Sequence, residues 1–262
     1  MTPKAIVLTG YGINCDMETH HAFKLAGAEA ERVHLTDLLN GTRKLAEFHI
    51  FALPGGFSFG DDIASGKVLA NMIKYNLGEQ VGEFMDDGKL IIGICNGFQA
   101  MVRMGLLPGF GGDYKNQEVT LTFNDSGKFE DRWVHLKGNK NSNCVFTEGI
   151  DNIYLPVRHG EGKFVVKTPS VLDKLKKNNQ VVFQYVDSSG DPSGYPWNPN
   201  GSVENIAGIC DETGRVFGMM PHPEGFQHRT NHPAWTSLEL PEEGAGVKIF
   251  RNAVDYASKN LY

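Results

Sequence analysis

A cysteine between two glycines is the first feature of the sequence that could do chemistry. Residues 93–97 read Gly-Ile-Cys-Asn-Gly, after an apolar segment and before a helical pattern. This is the pattern of a nucleophile elbow, a sharp strand-to-helix turn where larger side chains two positions away would clash. Because a helix N-terminus favours a thiolate, we predict that Cys95 is a nucleophile and that the backbone N–H of Asn96 stabilises an oxyanion. The alternative is a small buried cysteine at a strand end.

A histidine bracketed by prolines could supply the base. Residues 219–225 read Met-Met-Pro-His-Pro-Glu-Gly, after a short apolar segment. A proline pushes the residue before it toward an extended conformation, and side chains two apart in an extended chain point to the same side. We predict that Glu224 contacts one imidazole nitrogen of His222 and leaves the other to accept a thiol proton. The alternative is a surface loop with an incidental ion pair.

A glycine pair follows another apolar segment. Residues 53–58 read Leu-Pro-Gly-Gly-Phe-Ser. Ligands of open α/β sheets bind beyond the carboxyl ends of strands, so the backbone N–H of Gly56 could be a second oxyanion donor. An ordinary turn is the alternative. The absence of a following Lys-Ser or Lys-Thr pair argues against a phosphate-binding P-loop.

Apolar segments alternate with helical patterns in the first part of the chain. The segments at 5–8, 31–35, 49–53 and 90–94 predict strands, and those at 16–26, 63–84 and 97–104 predict helices, with a break near Gly78 and a capping role for Asp16. Strands that are apolar on both faces indicate a parallel sheet covered by helices.

The pattern changes after residue 118. Alternating segments at 119–123, 132–136, 152–155, 163–166 and 181–185 predict antiparallel, meander-like strands. A Gly-, Pro-, Ser- and Asn-rich loop follows at 187–203, then a hairpin at 206–219 and a final helix at 245–258. No repeat or linker interrupts the sequence, so we predict a single domain over residues 1–262.

Composition excludes several classes of protein. The chain has 262 residues, 40% of them hydrophobic, and a net charge of −6, which argues against a nucleic-acid partner. No apolar segment approaches the roughly 20 residues of a membrane helix, and the N-terminus is not a signal peptide. The four cysteines are scattered along the chain: Cys15, Cys95, Cys144 and Cys210. This spacing predicts reduced thiols, a cytoplasmic location and no metal site.

Together, the three segments closely resemble the class I (triad) glutamine amidotransferases in order and spacing. The resemblance implies a fold class, namely an α/β, flavodoxin-like three-layer sandwich with a mostly parallel central sheet and an added antiparallel strand region. It also implies site residues: a triad of Cys95, His222 and Glu224, oxyanion donors at Gly56 and Asn96, and a glutamine contact at Gln99.

Further segments are similar to one subfamily, the glutaminase component of phosphoribosylformylglycinamidine synthase, which acts in purine biosynthesis. These are residues 14–16, 57–62, 95–99, 155–162, 198–202 and 218–224. Asn-Gly-Phe-Gln after the cysteine favours this subfamily over other class I relatives. The sequence departs from the pattern at Gly225, where an arginine is common, and at 226–243, which is longer than in the short stand-alone subunit.

The resemblance implies hydrolysis of glutamine to glutamate and ammonia through a cysteine thioester. Ammonia would pass to a large synthase subunit that binds ATP, magnesium and formylglycinamide ribonucleotide, so this chain would hold no cofactor; a small bridging subunit is left open. Phe57 and His159 are further expected pocket residues. The segment around His159 and Glu161 could reach the glutamine pocket or the partner, or be a plain turn.

Three alternatives stay open on the sequence. The chain could be the glutaminase of another biosynthetic pathway, a cysteine peptidase or related hydrolase on the same sheet, or a non-catalytic binding module.

Overall fold

The computed structural model describes residues 2–261. Within this range, eleven β-strands form: β1 Lys4–Thr9, β2 Glu29–His34, β3 Ile50–Leu53, β4 Leu90–Ile94, β5 Val119–Thr122, β6 Glu130–Gly138, β7 Asn152–His159, β8 Lys163–Val166, β9 Val181–Val186, β10 Ile206–Cys210 and β11 Val216–Met219. The same range contains seven α-helices: α1 Asp16–Leu25, α2 Leu35–Leu39, α3 Lys67–Asn76, α4 Gly78–Asp86, α5 Asn96–Met104, α6 Pro169–Lys177 and α7 Val247–Asn260.

Nine of the strands form one central sheet in the order β2-β1-β3-β4-β11-β10-β9-β6-β7. The pairings from β2 to β11 are parallel, and those from β11 to β7 are antiparallel. The predicted α/β fold, with a parallel region extended by antiparallel strands, is confirmed.

The parallel strands are covered on both faces. All residues of β4 are buried, as are Ala5 to Leu8 of β1. Helix α1 packs on β1 and on α7, where the rings of Phe23 and Phe250 lie 4.9 Å apart in an edge-to-face arrangement. Helix α5 packs on β4 and on α3. Continuous apolar strands thus form a sheet buried between helices.

The prediction that the strands within residues 119–186 are antiparallel is confirmed, but their predicted meander order is wrong. Strands β5 and β8 leave the central sheet and pair with each other as a separate antiparallel ribbon, with Val119 opposite Val166. Strand β9 pairs with both β10 and β6, so β6 and β7 extend the main sheet. Alternation of apolar residues predicts a half-buried strand but not the strand with which it pairs. The two sheets therefore could not be distinguished from the sequence.

The helix boundaries follow the predicted signals only in part: α3 begins at Lys67 and not at residue 63, and α2 was not predicted. Helix α1 is followed by Gly27 at φ +96°, and the predicted break near Gly78 separates α3 from α4. The predicted capping role of Asp16 is wrong, because Cys15 occupies the N-cap position and Asp16 instead forms an ion pair with Arg32 at 2.9 Å. Among residues 2–261, no helix has the length and apolar character needed to cross a bilayer.

Candidate active site

Four neighbouring parallel strands end at one edge of the sheet. Strand β3 pairs with β1 and β4, and β4 pairs with β11, with Ile94 opposite Met219. Because parallel strands present their carboxyl ends together, the turns that follow them converge. These turns carry Cys15, Gly56, Cys95 and His222.

Cys95 lies on a strained turn between β4 and α5. Its φ of 50° and ψ of −106° are unusual for a residue with a side chain. Its backbone N–H donates to the carbonyl of Met219 at 2.8 Å, and its thiol lies 3.6 Å from the carbonyl oxygen of Arg158. The turn therefore holds the nucleophile candidate at the sheet edge, where it is 4% exposed.

The glycines beside Cys95 are required by close packing. A Cβ on Gly93 would lie 2.3 Å from the sulfur of Met101, and one on Gly97 would lie 1.9 Å from the carbonyl oxygen of Leu53. Neither position can hold a larger side chain without moving the elbow, as its sequence pattern predicts.

His222 and Glu224 form a buried pair in the turn after β11. His222 Nδ1 and Glu224 Oε1 are 2.5 Å apart, and each side chain is 2% exposed. The backbone N–H of His222 donates to the carbonyl of Pro156 at 2.8 Å, which ties the turn to β7. Pro223–Gly225 form one 3₁₀ turn, so the chain is not fully extended after His222, yet the predicted contact is present.

Burial and the charge of Glu224 act in opposite directions on the pKa of His222. Burial by itself would lower the pKa of His222, but Glu224, Cys95 and Cys15 raise it well above its ordinary value. The other ring nitrogen, Nε2, is buried and makes no hydrogen bond of regular geometry to any residue in the described range. The pair therefore presents a protonatable imidazole whose second nitrogen is available to a reacting group.

Gly56 occupies a turn that only glycine fits. Its φ is +147°, and a Cβ there would lie 2.6 Å from the carbonyl oxygen of Gly12. The turn is held by two backbone hydrogen bonds, from Cys15 to Gly55 at 3.2 Å and from Phe57 to Gly12 at 2.7 Å. The other expected oxyanion donor is the N–H of Asn96, which opens α5, where amides have no acceptor within the helix.

The side chain of Asn96 joins the elbow to the turn after β3. Its Oδ1 accepts the backbone N–H of Ser58 at 3.1 Å, and its Nδ2 donates to Asp61 Oδ1 at 2.9 Å and to Gln99 Oε1 at 3.0 Å. Sequence reasoning assigned a role only to the backbone of Asn96. A buried amide beside an elbow was the signal for this second role, because it must find partners.

Gln99 connects α5 to the segment after β7. Its Nε2 donates to the carbonyl of Glu161 at 2.6 Å, and its side chain is 4% exposed. The predicted glutamine contact thus lies at the site and holds the 159–162 segment against it.

His159 is buried beside His222. Burial, followed by the charge of His222, lowers the pKa of His159 to about 3, so its imidazole is neutral. Its Nδ1 lies 3.1 Å from Asn124 Oδ1, while its Nε2 is buried and has no hydrogen-bond partner among the residues described. Asn124 also holds the backbone at both ends of the segment, bonding the His159 carbonyl at 2.8 Å and the Gly162 N–H at 2.9 Å. Asn124 was not foreseen, and nothing in its sequence context indicates this role.

Phe57 lies at the rim of the site. It is 46% exposed and packs against Phe129, with the ring centroids 6.2 Å apart. It therefore presents an exposed aromatic ring next to the turn that carries Gly56.

Cys15 is a site residue that sequence reasoning quoted only as part of a motif. Its Sγ, a ring nitrogen of His222 and a carboxylate oxygen of Glu224 all lie within 4.8 Å of one another. The signal was its position after β1, which ends at the same sheet edge. All four cysteines are free thiols.

Gln227 links the turn carrying Glu224 to the first turns of α1. Its Nε2 donates to the carbonyl of Glu224 at 2.8 Å and to that of Glu18 at 2.7 Å.

Comparison with known proteins gives the class to which this fold and site belong. Residues 2–257 match the CobB/CobQ-like glutamine amidotransferase domain, and the chain belongs to this family of enzymes. The resemblance inferred from the sequence is confirmed.

Several known proteins are similar to this chain over nearly its whole length. The phosphoribosylformylglycinamidine synthase subunit PurQ of Dehalococcoides mccartyi is 53% identical over 255 residues, which are 97% of each chain. PurQ of Archaeoglobus fulgidus is 41% identical over 98% of this chain and 97% of its own. In the structure of PurLQS from Thermotoga maritima, one chain is 33% identical, with a TM-score of 0.73 and coverage of 98% and 99%, which confirms the predicted fold class. The length of this chain is therefore that of relatives named as subunits.

Proposed function

We propose that this chain is the glutaminase subunit of a phosphoribosylformylglycinamidine synthase. The observation that carries the proposal is the buried contact between His222 and Glu224 at the sheet edge that also holds Cys95 on a strained elbow. The names of the relatives supply the assembly to which that chemistry would belong.

In the first half of the reaction, the Cys95 thiolate attacks the side-chain carbonyl carbon of glutamine. The carbonyl oxygen becomes an oxyanion beside the backbone N–H groups of Gly56 and Asn96, and one such donor is typically worth about 3 kcal/mol in the transition state. His222, with its pKa raised by Glu224, then donates a proton to the leaving nitrogen. Ammonia leaves, and a γ-glutamyl thioester on Cys95 remains.

In the second half, water attacks the thioester. His222, now neutral, takes a proton from the water, and the same two N–H groups stabilise the second oxyanion. Collapse of this intermediate releases glutamate, and the proton on His222 returns to the thiolate or to solvent. Glu224 keeps the imidazole in one orientation through both halves.

The segment 159–162 forms one wall of the proposed glutamine pocket. Gln99 and Asn124 hold its backbone, and the unpartnered Nε2 of neutral His159 is available to donate to or accept from a bound polar group. Phe57 supplies the apolar rim. These contacts support the assignment of Gln99, His159 and Phe57 as substrate-binding residues.

The partner subunit is proposed from the names of the relatives. A large synthase subunit would bind ATP, magnesium and formylglycinamide ribonucleotide, and would receive ammonia through the protein interior, away from bulk water. This chain then needs no cofactor of its own, and the reaction would take place in the cytoplasm.

Co-purification with native partners, followed by a synthase assay, tests the proposal. The purified complex is expected to convert formylglycinamide ribonucleotide with ATP and either glutamine or ammonium. Glutamine hydrolysis is expected to rise only when the cognate synthase subunit and its substrates are present. The size of the purified complex decides between two and three kinds of subunit.

Two outcomes would contradict the proposal. Stimulation by a different synthase would assign the chain to another pathway, and peptide cleavage without glutamine turnover would make it a peptidase. Labelling of Cys95 by an electrophilic glutamine analogue, blocked by glutamine, is expected; labelling elsewhere would remove Cys95 from its role.

A further inference from the structure

A second thiol lies beside the proposed catalytic pair. Cys15 follows β1, is half-buried, and sits with its Sγ within 4.8 Å of ligand atoms on both His222 and Glu224. Its own thiol contact is a long one, 3.5 Å to Oδ1 of the exposed Asn14. The proposed hydrolysis uses only Cys95, so it leaves Cys15 without a role.

Two buried polar atoms of the same cluster lack partners. His222 Nε2 and Glu224 Oε2 make no hydrogen bond of regular geometry to residues 2–261, although both side chains are 2% exposed. Buried polar atoms without partners are rare and point to a missing ligand. In the proposed mechanism, His222 Nε2 exchanges protons with the substrate and water, but Glu224 Oε2 has no role.

We propose that Cys15, His222 and Glu224 form an inhibitory binding site for a thiophilic divalent cation, with Zn²⁺ as the best fit. A thiolate, an imidazole and a carboxylate are the donor types that zinc prefers, and three protein ligands leave its fourth position for water. Ligand atoms around tetrahedral zinc lie roughly 3.5 Å apart. His222 Nδ1 and Glu224 Oε1, now 2.5 Å apart, would have to separate, and Cys15 Sγ would have to move to complete the site. Cys15 is the least buried of the three ligands, so its side chain can make part of that adjustment.

Protons compete with a cation for this cluster. Burial, together with the nearby charge of Glu224, raises the pKa of the Cys15 thiol, whereas the His222 contact lowers it. Zinc ligands bind in their deprotonated forms, so cation binding must displace the proton of the Cys15 thiol and one proton of the His222 imidazolium to solvent, and affinity is expected to fall as pH falls. The bound cation would neutralise Glu224 and Cys15 together.

Occupancy of the site stops the proposed reaction. A metal-bound imidazole has given up a lone pair, so His222 can no longer carry a proton between Cys95, ammonia and water. This inhibitory effect depends on the proposed function, whereas cation binding does not. The two are therefore tested separately.

Binding is tested on the full-length Cys95→Ser variant with Co²⁺, a spectroscopic substitute for zinc. A thiolate-to-cobalt charge-transfer band in the near ultraviolet is expected, and Zn²⁺ should abolish it by competition. Adding Cys15→Ser should remove the band, while adding Cys210→Ala, a buried thiol remote from the site, should leave it. A band that survives Cys15→Ser, or no band in the Cys95→Ser protein, would overturn the proposal.

A second measurement covers the case in which Cys15→Ser does not fold. Zn²⁺ is expected to slow alkylation of Cys15 in the Cys95→Ser protein, as read by mass spectrometry of the peptide carrying it. Unchanged alkylation would contradict the site.

Inhibition is tested on the purified complex. Zn²⁺ should inhibit the glutamine-dependent synthase reaction reversibly, with recovery on chelation, and should spare the ammonium-dependent reaction of the same complex. Cys15→Ala should raise the zinc concentration for half-inhibition by at least about tenfold. Equal inhibition of the glutamine-dependent and ammonium-dependent reactions would overturn the inhibitory role. So would an unchanged zinc concentration for half-inhibition in Cys15→Ala. Failure of the proposed function would appear instead as absence of any glutamine-dependent reaction, with cobalt binding intact.

Discussion

The carbonyl oxygen of Gly55 accepts the backbone N–H of Cys15 at 3.2 Å. The peptide between Gly55 and Gly56 is trans, so its N–H points opposite to its carbonyl, away from the turn that carries Cys15. One hydrogen bond from α1 thus fixes the direction of the N–H proposed to stabilise the oxyanion. The motif at 14–16 acts on the site through its backbone as well as through its thiol.

Gly56→Ala tests this arrangement. A Cβ would lie 2.6 Å from the Gly12 carbonyl at a φ of +147°, so the turn must move and misplace its donor. We expect kcat for glutamine hydrolysis to fall by about 100- to 1000-fold. Gly41→Ala is the matched control, because Gly41 also has a positive φ but open space around its Cβ position. An unchanged kcat in Gly56→Ala would mean that this donor is not used.

Cys95→Ala should abolish the glutamine-dependent reaction and spare the ammonium-dependent reaction of the assembled complex. The reason is that the thioester cannot form, while the synthase subunit still receives ammonia from solution. Both rates are measured on the same preparation. Retained glutamine hydrolysis in the variant would reject the nucleophile assignment.

Glu224→Gln should reduce kcat by about two to four orders of magnitude, because His222 loses the partner that fixes its orientation and raises its pKa. Glu243→Gln, which breaks the exposed pair with Arg251, is the control and should cost less than about 1 kcal/mol of stability.

Glu224→Gln should also change the pH dependence of the free energy of unfolding. With its pKa raised in the folded state, His222 stabilises the protein fully below its unfolded pKa, and this contribution disappears as pH rises through the folded value. Without Glu224, the largest contribution that raises the pKa of His222 is lost, while burial still lowers it. The stability difference between wild type and Glu224→Gln is therefore expected to be largest below about pH 6 and to shrink in alkaline solution. Urea unfolding across this range measures it, and a difference that grows with pH would contradict the assignment.

Asn96→Ala should lower the free energy of unfolding by about 1–3 kcal/mol, since it leaves the buried Ser58 N–H without its acceptor. It should also lower kcat, because the turn after β3 loses its tie to the elbow. Asn76→Ala removes an exposed amide on α3 that bonds its own helix and serves as the control. Equal effects of the two changes on kcat would show that the tie has no catalytic consequence.

The sequence predicted the parts of the site that are local. The elbow around Cys95 follows from two glycines between a strand and a helix, and the contact of His222 with Glu224 follows from spacing alone. Both depend on residues within a few positions of each other, where backbone geometry dictates side-chain direction.

The unforeseen parts depend on strand order. Cys15 reaches His222 only because β1 and β11 flank β3 and β4 in the sheet, an order that no residue pattern encodes. Asn124 reaches His159 across 35 positions, through the pairing of β5 with β8 that the meander prediction missed. Site residues contributed by long-range pairing therefore escaped prediction, while those within one motif did not.

Helix α1 touches both halves of the catalytic arrangement. Cys15, at its start, orients the oxyanion turn, and Glu18, one turn later, shares Gln227 with the turn that carries Glu224. Because a helix moves as one body, a tilt of α1 would shift both of these contacts together. Glutamine hydrolysis in this chain would therefore be switched as a unit by a force on one helix, without separate signals to the donor turn and the base.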